Sequence, residues 1–264
     1  LGHGLVNAVT KSGTNEFSGS LFGYLQRPDL VGLDTAGRKV DRFDIKQFGF
    51  SLGGPVIRDK VHFFAAGDFQ KSETPFNGEE VTQATTGISA ARADQVTNIL
   101  RTQYGFDPGT FAAPSLRRPD NNFFAKVTAQ LGNSGQLEVS HNLVDAGDDN
   151  FLRNARRNSA TATSGLRDGF QLSNSGYEFR SKTNSTRAKW TTLIGGKISS
   201  ELLLGWQTVR DAREIPNRVP LIFVDGDQAG TTIAAGAERF SHDNRLNQDI
   251  AEVTQASLRA QIAM

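Results

Sequence analysis

The chain contains no cysteine, which excludes disulfides, Cys-ligated zinc, iron–sulfur clusters and thiol catalysis. No apolar run approaches the ~20 residues that a membrane-spanning helix needs. Charge of neither sign dominates, since 29 Lys and Arg stand against 28 Asp and Glu. A dedicated nucleic-acid binder carries a basic face that shifts this balance, so no nucleic-acid partner is expected. The four histidines, His3, His62, His141 and His242, are scattered, and no two stand at metal-ligand spacing. There is no Walker loop, G-x-S-x-G or H-E-x-x-H. No residue is therefore nominated as catalytic, cofactor-binding or metal-binding, and the chain is not expected to be an enzyme. No signal peptide opens the chain either. It begins at Leu1 in what reads as mid-strand sequence, so a fragment with its export signal upstream is expected.

What is present is rhythm. Glycine is abundant (27) and proline sparse (8), and phenylalanine (18) far outnumbers tyrosine (3). Period-two alternation marks strands with one wet and one greasy face. In 17–26, Phe17, Leu21 and Leu25 fall on one side, but Phe22 and Tyr24 join Ser18, Ser20 and Gln26 on the other, so that alternation is imperfect. In 44–53, Phe48, Phe50 and Leu52 oppose Gln47, Gly49 and Ser51; in 61–71, Val61, Phe63, Ala65 and Phe69 oppose His62, Ala66, Asp68 and Gln70. The clearest hairpin joins 122–131 to 136–143 through Gly132-Asn133-Ser134-Gly135, and a further pair joins 186–194 to 198–209 through Gly195-Gly196-Lys197. The last pair would carry Trp190, Ile194, Leu202, Leu204 and Trp206 on its outer face.

Tight links at 54–60, 132–135 and 195–197 alternate with long polar ones at 27–43, 72–120, 144–168 and 211–244. Such long loops argue against a compact soluble domain. They fit an outer-membrane barrel, whose short turns face one side and long loops the other, and whose alternating strands give a weak hydropathy signal. Periodicity alone fits the core of a soluble β-sandwich as well. One loop is expected to hold a helix over 90–104, with Ala93, Val96, Ile99 and Leu100 on one side and Gly105 as its stop. The segment 246–262 has apolar residues at helical spacing, from Leu246 to Ile262, but its surroundings favour a strand.

Several polar features are weighed as sites and set aside. Asp225-Gly226-Asp227-Gln228-Ala229-Gly230 resembles the start of a calcium loop, yet Gly236 stands where the twelfth-position Glu is needed, which favours an ordinary polar turn. Arg153, Arg156 and Arg157, and Asp145, Asp148 and Asp149, read as solvated loops. Lys126, Glu138, Lys189 and Glu201 alternate with apolar residues and are expected to line a hydrated lumen.

Two motifs narrow the reading. Gly4-Leu5-Val6-Asn7-Ala8-Val9-Thr10-Lys11-Ser12-Gly13-Thr14-Asn15 resembles the end of the plug in TonB-dependent outer-membrane receptors, with His3 where that family usually has a small residue. Gln47-Phe48-Gly49-Phe50-Ser51-Leu52-Gly53-Gly54-Pro55-Val56-Ile57-Arg58-Asp59-Lys60, followed by Phe63-Phe64, resembles the strand–turn–strand signature of the Oar-like branch, whose members often carry a carboxypeptidase-regulatory-like domain. Gly236 and Asn244 are loosely family-like. The glycines and proline of 53–55 suit a tight turn, with Arg58, Asp59 and Lys60 in water at the rim and Phe63, Phe69, Trp190 and Trp206 towards lipid or in an aromatic girdle.

The resemblance implies an all-β chain, with residues 1–15 the C-terminal end of a plug and 16–264 the N-terminal part of a transmembrane antiparallel β-barrel. At about ten residues per crossing it would hold about nine or ten strands of a barrel that in the family has about 22. It implies a carrier of a large solute (siderophore, glycan, peptide or protein), driven by TonB through a region not contained in this chain and surrounded by outer-membrane lipid and lipopolysaccharide. The alternative is a β-rich surface binding or adhesion protein without active transport. A secreted β-rich hydrolase has no supporting constellation.

Overall fold

The computed structural model describes residues 10–33, 35, 37, 39, 43–76, 82–112, 114–151, 169–195, 197–215, 221–228, 230–236 and 250–263. The run 4–9, His3, Arg153, Arg156, Arg157, Ala229, His242, Asn244 and Leu246 lie outside the described residues.

The alternating segments pair with their sequence neighbours, as hairpins do when each strand has one face to bury and one to hydrate. In chain order the elements are β1 (Ser18–Gln26), β2 (Asp44–Ile57), β3 (Val61–Pro75), α1 (Gln83–Thr86), α2 (Ala90–Tyr104), β4 (Ser115–Leu131), β5 (Gly135–Asn150), β6 (Gly169–Gln171), β7 (Tyr177–Ile194), β8 (Ile198–Glu214), β9 (Ile222–Asp225), β10 (Thr232–Ala235) and β11 (Ile250–Ala263). Eight strands form one sheet in the order β1-β2-β3-β4-β5-β7-β8-β11, with β1 and β11 at its edges. Every pair in it is antiparallel. About nine or ten barrel strands were expected; the described residues supply eight, and the three short ones form a second sheet, β6-β10-β9. Within the ambiguous 246–262 region, residues 250–262 belong to the strand β11, and 246–249 lie outside the described residues.

The wall strands run further than their alternation indicates. β4, β5, β7 and β8 have 17, 16, 18 and 17 residues, where a crossing takes about 9–11. The surplus lies at the long-loop end, where both faces are polar: Asp145 opposes Lys182, Lys182 opposes Arg210, and on the other face Ser181 opposes Asp211. The cluster Asp145, Asp148 and Asp149 is thus part of β5 and not of a loop. Its members pair across the sheet, Asp148 with Arg118 at 2.6 Å and Asp149 with Arg117 at 3.0 Å.

At the other end, three-residue links join β2 to β3, β4 to β5 and β7 to β8. Here the Gly-Gly-Pro run departs from its expected role. Gly53, Gly54 and Pro55 are strand residues, opposite Phe64, Phe63 and His62, and the turn is made by Arg58, Asp59 and Lys60. Proline is tolerated because the register shifts between Pro55 and Ile57, the kind of bulge at which a strand can lack a donor.

The long links fold together into a module of α1, α2, β6, β9 and β10. Helix α2 has the expected bounds. The Ser89 hydroxyl caps it by accepting from the Arg92 N–H at 3.2 Å, and Gly105 ends it at φ 63°, the left-handed region open to glycine. Ala93, Val96 and Leu100 are buried at i, i+3 and i+7, whereas Ile99, expected beside them, is 37% exposed at the edge of the stripe. They meet Ile88, Phe106, Phe170, Leu172, Ile233 and Ala235, so the hydrophobic core of the described residues sits here and not on the wall. β6 pairs parallel with β10, and β9 antiparallel with it.

Asp107 is expected to contribute to the acid sensitivity of this module. Asp107 Oδ1 accepts from the Gly109 N–H at 3.0 Å and from Arg101 Nε at 2.8 Å. The Gly109 bond first, and then Arg101, hold its carboxyl below the ordinary 3.8. A depressed folded-state pKa contributes stability that is present above the unfolded value and lost as pH falls through the folded one. Pepsin cleavage around 105–110 is therefore expected to accelerate as pH drops from about 4 to about 2. That acceleration should be smaller in Asp107→Asn; an identical acid response in both proteins would refute the assignment.

Candidate solute-contact wall and N-terminal anchor

Cross-strand register sorts the wall side chains into two faces, because directly opposed residues share a side. One face runs Leu21–Phe50, Phe48–Phe69, Phe63–Val127–Val139–Ala188–Leu204–Leu258 and Trp190–Leu202. Phe63, Phe69, Trp190 and Trp206 all lie on it, as expected. It is apolar and uncovered: Leu21 is 72% exposed, and Leu204 and Trp206 are each 48% exposed. A continuous exposed apolar band of this kind is unsuited to water and suited to lipid.

The opposite face carries Ser20, Ser51, Gln47, Asp68, Asn142, Ser185 and Gln207, and the four charges read from the sequence. Those charges form a row across four strands. Lys126 Nζ lies 3.1 Å from Glu138, Glu138 opposes Lys189 in register, and Lys189 Nζ lies 3.0 Å from Glu201. The imperfect alternation of β1 has a counterpart here. On this polar side the rings of Phe22 and Tyr24 meet at a tilt with centroids 5.6 Å apart and those of Phe64 and Phe124 at 6.3 Å, and the Phe22 ring occupies the space over Gly49.

Lys126 is 4% exposed, unlike the other charges in the row. Its cover is the chain itself, 116 residues earlier: Nζ donates to Thr10 O at 3.2 Å and to Thr10 Oγ1 at 3.0 Å. Two residues close the joint further along. A Cβ on Gly13 would stand 2.1 Å from Phe63 O and 2.9 Å from Gly54 O, so only glycine lets the segment lie backbone to backbone on β2 and β3. The Asn15 amide then binds the β2–β3 turn. Its oxygen accepts from the Asp59 N–H at 2.8 Å and meets His62 Nε2 at 2.8 Å, and its Nδ2 donates to the Asp59 carboxylate. Thr10, Gly13 and Asn15 belong to the motif that resembles a plug end, but the sequence holds no local signal for their partner Lys126, which reads as one more alternating polar residue.

The turn weighed as a calcium loop has structural duties. Gly226 N–H donates to Thr231 O at 2.9 Å, closing the β9–β10 hairpin. Arg92 donates to Asp225 O at 3.0 and 3.2 Å. Asp227 accepts from the Ser89 N–H, which above all holds its carboxyl below the ordinary range. His141 falls on the apolar face and meets Thr186 Oγ1 at 2.9 Å. Two cavities open at the long-loop end. One, of about 400 Å³, has a mixed lining that includes Arg117, Asp149, Tyr177, Glu178 and Glu214 beside Leu116, Phe151 and Ile215. The other, of about 590 Å³, is apolar and lies between α2 and β9, against Ile99, Tyr104, Phe106, Ile222 and Val224.

Comparison with known proteins agrees with this geometry. Residues 9–244 match the family described as the outer membrane beta barrel domain. The chain is similar to the TonB-dependent transporter Oar of Myxococcus xanthus, at 33% identity over 123 residues, which are 44% of this chain and 11% of that transporter. No solved structure matches significantly. A polar face backed by an apolar face without protein cover, with short turns at one end and long loops at the other, is what a sheet curved through a bilayer requires. The chain belongs to the outer membrane beta-barrel family, and its place is the cell outer membrane.

Proposed function

We propose that residues 1–15 are the end of a plug and 16–264 the first part of the barrel wall of a TonB-dependent transporter. The solute is large: a siderophore, glycan, peptide or protein. The observation that carries this reading is the segment 10–15, held against the polar face by Lys126, Gly13 and Asn15. A chain that enters the lumen there and continues into β1 is what joins a plug to its barrel. The row Lys126, Glu138, Lys189 and Glu201 then belongs to a hydrated lumen wall, and no chemistry is performed on the solute. Further strands close the barrel beyond β1 and β11, because lipid does not tolerate unpaired edges. TonB engages a plug region outside these 264 residues, and lipid and lipopolysaccharide surround the apolar face.

The second reading, a surface binding or adhesion protein without active transport, is favoured by the folded module of α1, α2, β6, β9 and β10 at the long-loop end. One comparison separates the two. Cells deleted for this gene are screened for growth on iron chelates, oligosaccharides and peptides, and for surface attachment, with and without TonB. Transport predicts growth defects that deletion of TonB reproduces and that are not additive with it. A purely adhesive defect, unchanged by TonB, overturns transport.

A further inference from the structure

We infer that Lys126 is a positioning residue that fixes the segment 10–15 to the wall, so that any displacement of the plug takes place on the N-terminal side of Thr10. This rests on the plug reading above and assigns its fixed point.

The ammonium group has three N–H donors, and the structure supplies three acceptors: Thr10 O at 3.2 Å, Thr10 Oγ1 at 3.0 Å and Glu138 Oε2 at 3.1 Å. Freeing Thr10 would remove two of these three acceptors at once, both of them charge-assisted bonds. The next hold is steric, with Gly13 lying directly on the backbones of Gly54 and Phe63. The last is the Asn15 amide, committed to Asp59 and His62. These holds fall within six residues and reach β2, β3 and β4, three adjacent strands of a continuous ladder. A pull on the plug is therefore borne by the wall itself, and a solute path opens away from this joint.

These 264 residues contain no cysteine, so labelling here needs only the replacement by serine of any cysteine elsewhere in the complete gene product. Spin labels are placed at Lys11→Cys and Asn133→Cys, both exposed, in the complete gene product in the outer membrane of living cells. Their distance distribution is recorded by double electron–electron resonance, with and without an uncoupler. The expected result is one narrow peak in both conditions. Lys126→Met should raise the population outside that peak about tenfold, as loss of charge-assisted hydrogen bonds implies. Thr10→Val, which keeps the buried pair with Glu138, should broaden the peak less and in the same sense. Lys189→Met removes the same charge from the exposed pair two strands over and should leave the peak unchanged. The inference is overturned if neither Lys126→Met nor Thr10→Val broadens the peak, if Lys189→Met broadens it equally, or if energisation shifts the wild-type peak. Loss of TonB dependence with a narrow, Lys126-dependent peak would instead sink the transport reading and leave the anchor standing.

Discussion

Phe170→Ala is expected to unfold the loop module while the membrane wall stays intact. Phe170 is 1% exposed in β6, a strand of three residues that are all buried. It packs in the core that gathers α2, β6 and β10. Truncating a buried Phe costs about 3–5 kcal/mol, the lost transfer energy plus the cavity left behind. A module this small draws only about that much from a single core, so one substitution removes most of its margin. The wall does not share the loss, because β6, β9 and β10 pair only with one another. The eight long strands also keep their backbone bonds in a medium where breaking them is very costly. Hydrogen exchange on the reconstituted protein measures both parts at once. Amides of α2, β9 and β10 should lose their protection, while those of β4, β5, β7 and β8 at the short-turn end should retain theirs. Deprotection of the wall ladder in step with the module would show that the two are one cooperative unit and that this account is mistaken.

That division also explains what could be read in the sequence. Where one face is greasy and the other wet, alternation is a direct record of the fold, and β2, β3 and the β4–β5 hairpin are legible on that ground. Helix α2 is legible for a different local reason, its apolar spacing and the glycine that ends it. Beyond the bilayer both faces of a strand meet water and the alternation vanishes, so the far half of β5 reads as loop and that of β7 is left unassigned, although the two are paired out to Asn150 and Tyr177. The loop module is invisible for the complementary reason. Its core is assembled from short apolar runs, Phe170-Gln171-Leu172 and Ile233-Ala234-Ala235, each too brief to show a period and each far from its partners in sequence. Their one signal is compositional, as apolar clusters inside otherwise polar links. At the candidate site the four lumen charges follow from alternation, but the reach of Lys126 to Thr10 crosses 116 residues and follows from nothing local.

Leu204→Arg is expected to cost about 2–4 kcal/mol of folding stability in a bilayer, while Gln207→Arg on the same strand costs close to nothing. The two side chains lie on opposite faces of β8. Leu204 opposes Ala188 and Leu258 and is 48% exposed, and Gln207 opposes Ser185 and Gln255. Leu204 stands six residues above the short turn that precedes Ile198. With a rise of ~3.3 Å per residue and a tilt of ~45°, that is about 14 Å along the membrane normal, near the middle of an apolar band ~25 Å tall. A guanidinium there has only hydrocarbon around it, whereas one at Gln207 enters a hydrated lumen. Unfolding by guanidinium in lipid vesicles, followed through Trp190 and Trp206, reports the difference, and both probes lie on the same face as Leu204. The order of the two costs is what matters. In a soluble β-sandwich Leu204 would be covered by a second protein layer. The Leu204→Arg penalty would then be the same in detergent-free buffer as in vesicles, and the chain would fold without lipid. A penalty that exists only in the bilayer ties the apolar face to lipid, and the polar face, with the N-terminal segment held against it, to the lumen.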